Sequence, residues 1–159
     1  MSHQQVSMTL LIHACPKAAV EQVTYLLPTK PVWHPQNLVL GFMRTELDLK
    51  LSRMAAEDLI AALNRVGNLH ADITLISRNS SCLFMLAPGL GLFRAATNQA
   101  GEILITEERI RQAMDSSAGN HRELTRLLRL ALGQAWDDVL EPFRAARYSD
   151  NLDLITRAV

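Results

Sequence analysis

Leu124, Leu127, Leu128, Ala131, Leu132, Ala135, Trp136, Val139, Leu140 and Phe143 recur at alternating steps of three and one. That spacing lays the apolar side chains along one face of a helix, and no other stretch of the chain shows it so cleanly. It predicts one long amphipathic helix over residues 120–141, opened by Asn120 with Glu123 as a capping pair and packed by its apolar side against the rest of the fold. Pro142 removes the backbone donor that would bond the Asp138 carbonyl, so the helix is expected to bend or stop there.

Upstream the period changes. Residues 6–14 are almost wholly apolar and β-prone, as in a strand at the centre of a sheet. Pro16 suits a helix start, and Ala19, Val20, Val23, Leu26 and Leu27 form a helical stripe that Pro28 ends. Residues 30–34 and 37–50 read as two strands joined at Pro35-Gln36; alternation of Leu47, Leu49 and Leu51 with Asp48 and Lys50 marks a half-exposed end. Ser52 is placed to cap a helix with Ala55, Ala56, Leu59, Ile60, Leu63 and Val66 inside, and Gly67 to close it. Residues 71–78 form the next strand.

The order strand, helix, strand, strand, helix, strand over residues 6–78 predicts a ferredoxin-like βαββαβ core, an antiparallel sheet with both helices on one face. Strands at 82–87, 92–97 and 102–105 extend it, broken at Pro88-Gly89 and turned over residues 98–101. Thr106 caps a helix that opens on Glu107 and Glu108, and residues 115–119 link it to the long helix. The expected architecture is one α+β domain over residues 1–159, with a β-hairpin extension at 82–105 and C-terminal helices at 106–147. The tail beyond Arg147 fits either a short strand or a helix around residues 152–155.

Charge narrows the function classes. Sixteen basic and sixteen acidic residues cancel, seven against six through Ser80 and nine against ten after it. Neither half carries the basic footprint of a nucleic-acid binder. The first seven residues are polar, without the basic start and apolar core of a signal peptide. The longest apolar run, residues 6–12, falls far short of the ~20 residues of a membrane span. A cytoplasmic protein is expected. Cys15 and Cys82 have no Cys-x-x-Cys partner spacing and read as buried free thiols, and Asn79-Ser80-Ser81 reads as a turn.

Candidate chemistry is sparse, and no catalytic motif, cofactor or metal site is expected. Gly89-Leu90-Gly91 resembles part of a phosphate loop, but it lies between strands instead of opening a helix. His3, His13, His34, His70 and His121 are scattered and offer no converging metal ligands. His13 stands out, near the end of the first strand and just before a helix start, a frequent place for ligands. At 100° per residue Asp138 falls at the edge of the apolar stripe, where a carboxylate needs partners. A ligand-binding cleft near His13, Asp138 and Arg94 is therefore one functional expectation, for a small metabolite-binding protein or enzyme.

The other comes from the polar face of the long helix. Arg122, Arg126 and Arg129 occupy its first half, and Asp137 and Glu141 its second. This arrangement opposes the helix dipole and sets like charges four residues apart, so local stability does not explain it. Two copies laid antiparallel about Leu130 would match the arginine end of one with the acidic end of the other. The leading expectation is a non-enzymatic binding or regulatory module that forms a homodimer through Arg122, Arg126, Arg129, Leu130, Asp137 and Glu141.

Residues 135–144, Ala-Trp-Asp-Asp-Val-Leu-Glu-Pro-Phe-Arg, resemble a segment of a family of small actinobacterial proteins catalogued as a domain of unknown function. Residues 88–94, the Gly101-Glu102-Ile103 turn and residues 107–111 are similar to its central block, and residues 13–16 to the end of its first strand. The resemblance spans residues 6–144 and implies a non-secreted protein; it implies no activity. The tail after Arg144 lacks the aromatic-rich ending of that family.

Overall fold

The computed structural model describes residues 4–157, so His3 and the start of the polar N-terminus lie outside the described residues. β1 (Gln5–Pro16) is the axis of the sheet. Val6, Met8, Leu10 and Ile12 point to one face and are at most 1% exposed, the period of two expected of a strand that carries a core. β1 leads through a single 3-10 turn into α1 (Val20–Leu26). After β2 (His34–Pro35) and β3 (Phe42–Ser52), α2 (Arg53–Val66) begins where the Ser52 hydroxyl accepts from the Ala55 N–H. It ends at Gly67, whose φ of 74° suits glycine. β4 (His70–Ile76), β5 (Ser81–Ala87) and β6 (Gly91–Thr97) complete the strands.

All six strands form one antiparallel sheet in the order β2-β3-β1-β4-β5-β6. The expected α+β class with an antiparallel sheet is present, and its order differs from that of a four-stranded ferredoxin-like sheet in that β5 and β6 continue the same sheet beyond β4, which makes β4 an interior strand. Two other expectations change. The strand expected from residue 37 begins at Phe42, and residues 102–105 contribute only an isolated bridge between Ile103 and Thr97.

One face carries α1 and α2, whose Val23, Ala56, Leu59, Ile60 and Leu63 join the β1, β4 and β5 residues in the main core. Trp33 packs on this layer, and its indole N–H donates to the Thr24 hydroxyl. The other face holds a smaller core of Met85, Phe93, Ala95 and Leu140, with Trp136 against it.

The long helix of residues 120–141 is two helices. α3 (Glu107–Ser117), capped by Thr106, turns into α4 (His121–Ala131), capped by the Asn120 side chain. α4 closes at Leu132, and Gly133, with φ of 76°, redirects the chain into α5 (Gln134–Arg157). The apolar spacing runs straight through Gly133, which hides the break. α4 buries none of its side chains and pairs with α3, so the most amphipathic segment is not the one sealed on the sheet. That part falls to α5. Its helix passes through Pro142 without stopping, and it takes in the tail expected to be a strand or a helix.

Candidate functional site: a buried ion cluster under α5

β1 breaks register with both neighbours just past Ile12, a β-bulge that leaves Ile12, His13, Ala14 and Cys15 all buried. His13 then faces α5 beside Asp72 of β4, and His13 Nε2 lies 2.7 Å from Asp72 Oδ2. A carboxylate only accepts, so Nε2 carries the shared proton. From α5, Arg144 grips the same carboxylate with two bonds, Nη2 to Oδ1 at 2.7 Å and Nε to Oδ2 at 2.8 Å. Its Nη1 donates to Asp137 at 2.9 Å, and Glu141 lies at 3.5 Å. The fork geometry of guanidinium and carboxylate makes this a strong, directional tie.

Around it, Phe143 sits between two imidazoles, with ring centroids 6.3 Å from His13 and 4.7 Å from His70. Arg147 reaches Glu46 of β3 at 3.0 Å, and Trp136 donates its indole N–H to the Gly91 carbonyl and packs on Phe93. α5 therefore crosses the sheet from β6 to β3. Where Gly133 meets the sheet, a Cβ would stand 2.6 Å from Met85 Cε and 2.9 Å from the Phe93 ring.

Burial alone would raise the Asp72 carboxyl, but the hydrogen bonds and charges of Arg144 and His13 outweigh it and bring it to about 2. The same bonds to Asp72 raise the Arg144 guanidinium against its own burial. Burial, followed by repulsion from His13, lowers His70. Burial pushes the Cys15 thiol up to about 11, which keeps it protonated and unreactive.

A pH dependence follows from Asp72. Its folded value of about 2 lies below the ordinary carboxyl value of 3.8, so its contribution is fully present above about pH 5. As pH falls from there toward 2, the unfolded chain takes the proton first and the contribution is lost, on the order of 2 kcal/mol. Urea unfolding from pH 6 down to pH 2 should show this fall, and Asp72→Asn should flatten it. An equally steep fall in the variant would remove Asp72 as the cause.

The three expected ligand residues do not converge. His13 is in the cluster. Asp138 is exposed and accepts from Gln134, while Arg94 lies on the opposite face, 3.5 Å from Glu57 of α2 and over the Phe84 ring. The break at Gly133 resets the helical phase, turning Asp137 inward and Asp138 outward, the reverse of the expected placement. Of the expected interface, Arg122, Arg129 and Leu130 are exposed, Arg126 is held by Glu123 at 2.6 Å, and Asp137 and Glu141 lean on Arg144. Asp72, His70 and Arg144 were not anticipated. The steps of four and three from Asp137 to Glu141 to Arg144 were the available signal, since they place all three side by side on one helix face.

Beside the cluster a cleft of about 650 Å³ is lined by Leu11, Thr74, Leu83, Ile103, Leu132 and the Asp137–Arg144 pair among others. Among the described residues no three His, Cys, Asp or Glu side chains are grouped to hold a metal ion, and no helix is long and apolar enough to cross a membrane. A family model described as "Protein of unknown function (DUF3145)" matches residues 9–157. No curated protein and no solved structure matches the chain.

Proposed function

The chain belongs to that DUF3145 family, and we propose that it acts as a non-enzymatic cytoplasmic binding module that assembles with a second copy of itself. The observation that carries the non-enzymatic part of this reading is the saturation of the Asp72 carboxylate at the centre of the cluster, beside which His13 Nδ1 and His70 Nδ1 are buried without a hydrogen-bond partner among the described residues. Asp72 accepts from His13 and twice from Arg144, and stays ionised down to pH ~2, so around neutrality it neither gives nor takes a proton. These groups hold α5 to the sheet. The two free thiols, Cys15 and Cys82, support a reducing compartment. The position of β1 between β3 and β4, antiparallel to both, supports reading the first four strands as a ferredoxin-like core extended by β5 and β6.

A second reading is favoured by the cleft: an apolar-bodied metabolite seated on Leu11, Leu83, Ile103 and Leu132, with its polar group toward Asp137 and Arg144. Native mass spectrometry of the untreated protein separates the two. A dimer without added mass is the expected result; a monomer carrying a small molecule would overturn it in favour of the cleft.

A further inference from the structure

We infer that the second copy docks on the outer edge of β3, the two strands pairing antiparallel about Leu49 to make one continuous sheet. This rests on the self-assembling reading above and names its surface.

The edge is open. β2 pairs with β3 only at Arg44 and Met43, and among the described residues no strand pairs with the outer side of β3 from Glu46 to Ser52. Which backbone groups point outward follows from two bonds. The Gln36 N–H donates to the Phe42 carbonyl on the outer side, and the Arg53 N–H donates to Gln4 at the β1 side. Backbone groups alternate sides along a strand. Glu46, Asp48, Lys50 and Ser52 therefore present their N–H and C=O groups outward, while Leu47, Leu49 and Leu51 turn theirs to β1.

The side chains make this edge complementary to itself. With Leu49 on a two-fold axis, Asp48 of one copy lies opposite Lys50 of the other, twice by symmetry. Both are outward-facing residues, so they form hydrogen-bonded pairs, and Glu46 opposite Ser52 forms the next. On the other face Leu47 meets Leu51, two side chains left half-buried in the single chain. Centring the pairing on Asp48 instead would set two aspartates face to face, which opposes it. Charged side chains on an edge strand discourage indiscriminate pairing; in this register the charges that face one another are opposite, so they admit a second copy of the same edge.

Charge exchange tests both surface and register. Asp48→Lys sets Lys opposite Lys50, and Lys50→Asp sets Asp opposite Asp48, so each should weaken dimerisation by on the order of tenfold or more in sedimentation equilibrium. The double exchange, Asp48→Lys with Lys50→Asp, should restore the wild-type constant. Lys50→Pro, which removes an outward N–H and no bond within the sheet, should leave a folded monomer by circular dichroism. Amide exchange at Asp48 and Lys50 should slow as wild-type concentration rises. A wild-type dimer that none of these variants weakens would sink the β3 assignment and leave self-assembly standing. A wild-type monomer at high concentration and low salt would sink both.

Discussion

Arg144→Met is expected to lower the unfolding free energy by about 3 kcal/mol. Removing one partner of a buried pair leaves the other charge without compensation, at a typical cost of ~3–5 kcal/mol. The lower end applies because the Arg144 side chain is 28% exposed. Asp72, 13% exposed, would keep only His13. Replacing both sides should cost less than replacing one. Asp72→Asn with Arg144→Met should therefore recover more than 1 kcal/mol of the single loss in urea titrations. Additive losses in the double variant would show that the two groups act independently, against the cluster described above.

Gly133→Ala should cost a comparable amount, about 2–4 kcal/mol. Two costs add there. The positive φ strains any side chain, and the new Cβ would drive into Met85 and Phe93 at the floor of the smaller core. Gly119→Ala separates them. Gly119 has φ of 82° with nothing within 4 Å of an added Cβ, so its substitution carries the backbone cost alone, about 1 kcal/mol. Equal losses at the two glycines would mean that α5 yields to the clash. Because Met85 Sδ also accepts from Arg144 at 3.3 Å, a displaced Met85 should couple the Gly133 and Arg144 substitutions.

The parts of the fold legible in the sequence are those decided within a few residues. Ser52, Thr106 and Asn120 announce helix starts because each bonds N–H groups two or three positions ahead. Gly67 announces an end because its backbone demands it. β1 is visible as a strand because Val6, Met8, Leu10 and Ile12 make one of its faces wholly apolar. What stayed hidden depends on distance or phase. Asp72 and Arg144 are 72 residues apart, and neither spacing nor composition ties a strand aspartate to an arginine so far along. At Gly133 the apolar period continues while the helix does not. A period measures which side chains avoid water, not whether the backbone between them stays helical, and the error there carried Asp137 and Asp138 to the wrong sides. Arg94 was misplaced for a simpler reason: alternation shows that it leaves β6 opposite Phe93, but not which layer covers that face.

Trp33 lies with α1 and α2 on one side of the sheet, and Trp136 lies with α5 on the other. The chain has no other tryptophan, so each layer carries its own fluorophore. Emission from Trp33→Phe tracks the undocking of α5, and emission from Trp136→Phe tracks the main core. Coincident melts would make the two layers one cooperative unit; an earlier transition for Trp136 would show that the C-terminal arm lifts while the sheet stays closed.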